Sequence, residues 1–162
     1  MNAQKQILPK LIETLKAKHY SLGFAESCTG GLLSAQLTEI SGVSSFYKGA
    51  VVAYANEVKN KLLGVPMDLI EKDGAVSESV AKAMAVGLAK SLSVDCAIAV
   101  TGVAGPNGGT AAKPVGTVCF AVMGPGFESS ARKHFSGSRQ EIQAQAVGYG
   151  FQFLLEELSK KA

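Results

Sequence analysis

The sequence has few of the residues that many enzyme classes require. It contains no tryptophan, two histidines and three cysteines among 162 residues. A zinc site built from His and Cys, or a carboxylate-rich magnesium site, would need nearly every candidate ligand in the chain. We therefore expect no catalytic metal. The scarce candidates are His19, His134, Cys28, Cys96, Cys119, Asp68, Asp73 and Asp95.

Disulfide, nucleic-acid and membrane signals are also missing. The cysteines are odd in number and lack CxxC spacing, and the amphipathic N-terminus does not resemble a signal peptide, so a reduced, cytoplasmic protein is expected. The net charge is +3, but only Arg132 and Arg139 are arginines, and no basic stripe for nucleic acid is visible. No apolar run reaches the roughly 20 residues of a membrane helix.

The length and composition of the chain predict one compact domain over residues 1–162. Hydrophobic residues make up 47% of the chain, and there are 18 glycines. Apolar spacing predicts helices at 4–18, 32–40, 56–63, 67–71, 77–92 and 138–159, and strands at 20–25, 49–54, 95–100, 117–123 and 127–135. Helices alternating with strands, followed by one hairpin, predict an α/β fold: a three-layer α/β/α sandwich with a mixed, mostly parallel sheet. The strand at 49–54 is expected to be buried on both faces, with Asn56 as the next helix N-cap.

Ser27 is the first candidate for chemistry, because it joins the first predicted strand to a helix. Open α/β sheets place their ligand crevice at such strand ends. Helix-start N–H groups there could bind a phosphate or stabilise an oxyanion. The simpler interpretation is that Ser27 or Thr29 is an N-cap, with Gly30 and Gly31 allowing close packing. Cys28 is a rival nucleophile, since a thiol beside a helix N-terminus has a depressed pKa.

Lys59 is the candidate base for a serine nucleophile. His19 follows the first predicted helix among charged residues, and His134 lies in the predicted hairpin strand, so neither is well placed to act as the base. Lys59 follows another predicted strand and should return to the same sheet edge as Ser27. Burial would lower the pKa of its amine towards working pH. The alternatives are that Lys59 is an ordinary solvated helix lysine and that the nearby Tyr54 is a strand-end core residue.

A third segment, TGVAGPNGGT at 101–110, also follows a predicted strand. Its glycines could bring backbone N–H groups close to an anion or an acyl oxygen, although a merely flexible loop remains possible. It is neither a P-loop nor a dinucleotide-binding fingerprint. Arg139 could pair with a substrate phosphate or could be a surface residue.

Five motifs in this chain, taken together, resemble the CinA C-terminal domain family in order and spacing. They are AESCTGG at 25–31, YANEVK at 54–59, GAVS at 74–77, TGVAGPNGGT at 101–110 and KPVGT at 113–117. The resemblance runs from about Phe24 to Arg139.

The resemblance implies an amidohydrolase that converts nicotinamide mononucleotide (NMN) and water to nicotinate mononucleotide and ammonia in pyridine-nucleotide salvage, without a metal or cofactor. Ser27 and Lys59 would form the catalytic dyad, Tyr54 would orient the lysine and Thr101 would lie beside it. Arg139 and the glycine loop, which is the segment at 101–110, would hold the nucleotide. Members of the family would usually form homo-oligomers. The substrate contacts expected on this basis are Cys28, Thr29, Gly30, Gly31, Gly105, Gly109, Thr110 and Arg139.

The chain departs from the family in two respects. Ser138 and Gln143 stand where members often have an aspartate and a second arginine, so a phosphate site that relied on two cations would be weaker here. The chain is also expected to lack the N-terminal domain, related to molybdopterin-binding proteins, that longer members carry. Three other hypotheses stay open: a non-enzymatic binding module linked to competence or DNA damage, an amidase for another small amide or nucleotide, and a member that has lost its activity.

Overall fold

The structure is a computed structural model and describes residues 3–160. The helices are α1 Ala3–Lys18, α2 Leu32–Thr38, α3 Asn56–Leu63, α4 Met67–Asp73, α5 Glu78–Leu92 and α6 Arg139–Lys160, with a 3₁₀ turn at Val43–Ser45. The strands are β1 Leu22–Glu26, β2 Tyr47–Val52, β3 Cys96–Gly102, β4 Thr117–Gly124 and β5 Phe127–His134.

The five strands form one mixed sheet in the order β2-β1-β3-β4-β5. β1 pairs in parallel with both β2 and β3, while β4 is antiparallel to β3 and to β5. The carboxyl ends of β1, β2 and β3 therefore meet at one edge of the sheet. The predicted α/β fold with a mixed, mostly parallel sheet is confirmed.

Helices cover both faces of the sheet because side chains alternate along each strand. Large residues such as Phe24, Ile98 and Phe120 face α1, α2 and α6. Small residues such as Ala97 and Ala99 face the layer that contains α5. The small side chains allow α5 to pack closely over the strands that lead to the candidate site.

The edge strand differs from its prediction. β2 spans Tyr47–Val52 and pairs on one side with β1, and Val52 is 45% exposed. The expectation that this strand is buried on both faces is wrong, because an apolar run alone does not show where a strand lies in a sheet. Asn56 is the first residue of α3 rather than its N-cap, which is Ala55 without a side-chain hydrogen bond.

The remaining boundaries agree with the predictions to within about two residues. β1 begins two residues later than expected and includes Glu26, which the sequence pattern placed in the following turn. The long loop falls at 103–116, between β3 and β4, as expected. Among the described residues, no helix has the length and apolar content needed to span a membrane.

Candidate active site

Two buried polar side chains meet where β1 and β2 end. Ser27 directly follows β1, and its N–H donates to Val100 O at 3.0 Å, which extends the sheet pairing by one residue. Lys59 lies one turn into α3, on its buried face. The Nζ atom of Lys59 lies 3.0 Å from Oγ of Ser27, and the two residues are 1% and 7% exposed. The topology thus brings together residues that are 32 positions apart.

The environment of Lys59 combines burial with three hydrogen-bond partners for its amine. Its Nζ donates to Ala53 O at 2.9 Å and to Tyr54 O at 3.1 Å. Burial lowers the pKa of Lys59 below its ordinary value of 10.5. Lys59 takes no part in the ion pairs that the described residues form. A neutral amine has two N–H donors, which match the two carbonyls, so its lone pair is left for the Ser27 hydroxyl.

Glu26 organises the turn that carries Ser27, although the sequence reasoning gave it no role. Its buried carboxylate accepts hydrogen bonds from the N–H groups of Leu33 at 3.0 Å and Ser34 at 3.3 Å, and from Thr29 Oγ1 at 2.7 Å. The amides of Leu33 and Ser34, in the first turn of α2, therefore already have an acceptor within the protein itself. These two amides are thus not free for a substrate, and the expectation that amides of the turn nearer Ser27 serve one stays a prediction.

The glycines of this turn are explained by backbone conformation. Gly30 and Gly31 have φ angles of 57° and 105°, in the region that favours glycine, and Gly31 is the N-cap of α2 without a side-chain bond. A Cβ at Gly30 would meet nothing within 4 Å. The interpretations of Ser27 or Thr29 as an N-cap, and of the glycines as close-packing positions, are both wrong.

Cys28 does not have the environment of a nucleophile. Burial raises the pKa of its thiol to about 12, which overrides the opposite influence of nearby Lys59. The expectation of a depressed thiol pKa is therefore wrong, because the side chain packs into the core. Its carbonyl instead accepts a hydrogen bond from Gln143 Nε2 at 2.9 Å.

Tyr54 and Arg139 form the outer part of the site. The guanidinium of Arg139 donates to Gly105 O at 2.7 Å and to the Tyr54 hydroxyl at 3.1 Å. Tyr54 is 61% exposed, so it is not a core residue. It contacts Lys59 through its main-chain carbonyl, while its phenol reaches Arg139.

Thr101 lies at the end of β3 and is almost fully buried. Its hydroxyl donates to Ala75 O at 2.9 Å. Ala75 and the following Val76 line the same cleft as Ser27 and Lys59. Thr101 thus anchors the segment that forms one side of the site.

The glycine loop folds on itself. A Cβ at Gly105 would overlap Val115, and one at Gly109 would lie 2.8 Å from the Val115 nitrogen. Thr110 and Lys113 close a turn through two hydrogen bonds, Thr110 N to Lys113 O and Lys113 N to Thr110 Oγ1. The loop reaches the site at Ala104, which lines the cleft, and through Gly105 O, which accepts from Arg139.

The cleft between these segments has a volume of about 180 Å³. Thr29, Gly30, Gly31, Gly105, Gly109 and Thr110 are not among the described residues that line it, and neither is His19 or His134. Asn56 does line it; this residue belongs to the YANEVK motif at 54–59, but the sequence analysis expected it only as a helix N-cap. Within residues 3–160, no group of three His, Cys, Asp or Glu side chains could hold a metal ion. The lining residues are Ser27, Cys28, Tyr54, Asn56, Lys59, Ala75, Val76, Thr101, Gly102, Ala104 and Arg139.

Known proteins resemble this chain over nearly its whole length. A family model described as the CinA C-terminal domain matches residues 4–158. A CinA-like protein of Fervidobacterium nodosum is 45% identical over 156 residues, which are 96% of this chain and 38% of that protein. A CinA-like protein of Mycolicibacterium vanbaalenii is 48% identical over 140 residues, which are 86% of this chain and 33% of that protein. The chain therefore spans about a third of the length of these curated relatives.

Solved structures agree with the fold. A competence-damaged protein (CinA) superfamily protein from Klebsiella pneumoniae superposes with a TM-score of 0.93 at 34% identity, covering 98% of this chain and 99% of that one. The competence/damage inducible protein CihA from Agrobacterium tumefaciens gives a TM-score of 0.92 at 34% identity, covering 98% and 97%.

Proposed function

The chain belongs to the CinA C-terminal domain family, and we propose that it is an amidohydrolase that converts NMN and water to nicotinate mononucleotide and ammonia. The observation that carries the proposal is the buried contact of 3.0 Å between Ser27 Oγ and Lys59 Nζ. A hydroxyl becomes a useful nucleophile only beside a base, and a desolvated lysine is such a base. The binding-module hypothesis offers no reason for this pair to be buried together.

The chemistry proceeds in two acyl-transfer steps. The amine of Lys59 accepts the hydroxyl proton while Oγ of Ser27 forms a bond to the carboxamide carbon. The tetrahedral intermediate then breaks its C–N bond, and the ammonium of Lys59 returns the proton to the departing ammonia. In the second step Lys59 takes a proton from water, the resulting hydroxide attacks the ester carbon, and the C–Oγ bond breaks as Ser27 regains the proton.

The oxyanion of each intermediate needs N–H donors near Ser27. The amides of Leu33 and Ser34 are held by Glu26. The Gly30 amide donates to Ser27 O at 3.0 Å. The amides of Cys28 and Thr29, in the turn directly after Ser27, donate to no backbone acceptor among the described residues, and we assign the oxyanion to them.

The size of the cleft indicates which part of the substrate enters it. At about 180 Å³, it is smaller than the 300–1,000 Å³ typical of sites that enclose a whole drug-sized ligand. We propose that the nicotinamide ring and its amide occupy the cleft, while the phosphate lies outside against Arg139. Arginine suits this role because its guanidinium presents several N–H donors to phosphate oxygens. Gly105 contributes by holding Arg139 through its carbonyl.

We also propose that copies of the chain associate and that the enzyme works in the reducing cytoplasm. The edge strand β2 leaves one side unpaired among the described strands. Large apolar side chains are exposed near it and on the following helices, and free cysteines fit a reducing compartment. These exposed side chains are Leu32, Val52, Tyr54, Leu62 and Met67.

Incubation of the purified, chelator-treated chain with NMN tests the reaction. Native protein should release ammonia and nicotinate mononucleotide in equal amounts, and the Ser27→Ala variant should release neither. Ser45→Ala is the matched control, because Ser45 lies just before β2, at the opposite end of the sheet from Ser27. A folded native chain that is inactive on NMN but active on another amide would change the substrate and keep the chemistry.

A further inference from the structure

One face of the first turns of α6 contacts the three segments that form the site, which follow β1, β2 and β3. Arg139 reaches Gly105 O of the glycine loop and the hydroxyl of Tyr54. Gln143, four residues later and so on the same helix face, donates from Nε2 to Cys28 O at 2.9 Å. The helix itself is anchored in the core by Ile142. α6 can therefore fix the position of the turn that follows the nucleophile.

The Gln143 bond determines how one peptide group of that turn is oriented. A trans peptide is planar, and its C=O and N–H point in opposite directions. Holding the carbonyl oxygen of Cys28 therefore sets the direction of the Thr29 N–H. Among the described residues, that carbonyl accepts from Gln143 alone, and the Thr29 N–H donates to no acceptor. The residues on both sides of this peptide are also held, by the buried Cys28 side chain and by Thr29 Oγ1 on Glu26.

The preceding peptide is fixed in the same manner. Its carbonyl, Ser27 O, accepts from the Gly30 N–H at 3.0 Å. The two consecutive amides after the nucleophile, those of Cys28 and Thr29, thus each have the carbonyl of their peptide group held in place. Consecutive N–H groups form concavities that bind anions. Gly30 holds one of these two groups from within the turn, and Gln143 holds the other from α6.

We propose that Gln143 is a positioning residue that orients the Thr29 N–H towards the oxyanion formed on Ser27. The proposal rests on the proposed function, because an oxyanion arises only if Ser27 attacks a carbonyl or a similar electrophile. Gln143 acts through the Cys28–Thr29 peptide and need not contact the substrate. Its loss should therefore lower kcat more than it changes KM.

The test compares Gln143→Met with Gln145→Met. Both substitutions remove a side-chain amide from α6, but Gln145 donates to Ser136 O and Glu141 O, away from the cleft. A third variant, Gln143→Lys, keeps a donor that can reach the Cys28 carbonyl. Two reactions are measured for each: NMN hydrolysis, and covalent labelling of Ser27 by an alkyl fluorophosphonate. In the labelling, Ser27 Oγ forms a bond to phosphorus, fluoride leaves and Lys59 takes the hydroxyl proton.

We expect Gln143→Met to lower kcat and the rate of Ser27 labelling by about 10- to 100-fold, since small displacements in a site can cost 10²-fold. KM and the melting temperature should change little, Gln143→Lys should recover part of the loss, and Gln145→Met should match the native chain. A purely structural role for Gln143 would instead lower the melting temperature and leave both kcat and the labelling rate of the folded fraction at their native values.

The proposal is overturned if Gln143→Met keeps native kcat and native labelling, or if Gln143→Lys is as impaired as Gln143→Met. If the native chain is labelled at Ser27 but does not hydrolyse NMN, the proposed substrate fails, and the labelling rates still decide the role of Gln143. If the native chain does neither, the proposed function and the role of Gln143 both fail.

Discussion

The proposed chemistry depends on the side-chain amine of Lys59. It is buried, it has two carbonyls for two N–H donors, and its third neighbour is the Ser27 hydroxyl. The same helix carries Lys61, which is exposed. The two lysines differ in burial and partners, so they separate catalysis from a general effect of losing a cation on α3.

Replacing Lys59 by Met should remove nearly all NMN hydrolysis while keeping the fold. Methionine fills a similar buried volume but can neither accept nor return a proton. We expect a decrease of at least about 10³-fold, given that general base catalysis contributes roughly 10²–10⁴-fold. Initial rates of ammonia release measure it. Lys61→Met should behave like the native chain, and substantial activity in Lys59→Met would contradict the assignment of the base.

The pH dependence of kcat/KM should show the depressed pKa of Lys59. The free enzyme is active when this amine is neutral, so activity rises with pH as Lys59 loses its proton. Because burial lowers the pKa of Lys59, this rise should have its midpoint below 10.5, the ordinary value for lysine. A profile measured in buffers of constant ionic strength tests it. A rise centred at or above 10.5 would show that Lys59 is not desolvated in solution.

For single residues, the sequence predicts the candidate dyad of Ser27 and Lys59 but not the contacts that support it. Ser27 and Lys59 could be paired because each follows a strand of one parallel sheet. The role of Glu26 depends on the conformation of the turn at 27–31, which lets its carboxylate reach the N–H groups of Leu33 and Ser34. The Gln143 contact joins positions 115 residues apart, and local spacing contains no information about it.

At the level of helices and strands, α3, which carries Lys59, is positioned by its contact with α5. At Gly87 of α5, a Cβ would overlap the carbonyl of Leu63, the last residue of α3. Glycine is therefore required for the two helices to approach this closely. Because Lys59 is one turn before Leu63, any displacement of α3 also moves the base away from Ser27.

Gly87→Ala should both destabilise the chain and reduce catalysis. Overpacking of this kind costs about 1–3 kcal/mol in unfolding free energy, and the folded variant should show a lower kcat. Gly150→Ala is the control, because Gly150 lies in a different helix, α6. A Cβ there would lie 3.4 Å from Ile98 Cγ2, which is an ordinary van der Waals contact. Urea unfolding and NMN assays on both variants measure the effects. Native kcat in Gly87→Ala would show that α3 adjusts without moving Lys59.

The elements themselves were predictable where the apolar period is long, as in α5 and α6. The position of β2 was not, because pairing on one side or two depends on strand order. That order places β1 between β2 and β3. It is a property of the whole sheet, and the exposure of Val52 and Tyr54 follows from it.

On the scale of the whole molecule, the sheet and α6 together assemble the site. Parallel pairing brings the segments after β1, β2 and β3 to one edge, which is where α/β folds bind ligands. α6 then contacts these segments through Arg139 and Gln143. A ligand in the cleft thus contacts parts of the chain that are distant in sequence, and its binding should stabilise the folded domain as a unit.

The Ser27→Ala variant should bind NMN without consuming it, and its melting temperature should rise with NMN concentration. Ligand at 100 times its Kd adds about 2.7 kcal/mol to the free energy of unfolding. For a domain of this size that corresponds to a rise of roughly 5–11 °C. The nucleoside without its phosphate should give a smaller rise, and adding Arg139→Gln to the variant should remove the difference between the two ligands. Equal rises for both ligands in Ser27→Ala would show that Arg139 does not bind the phosphate, and that the site recognises the amide-bearing ring alone.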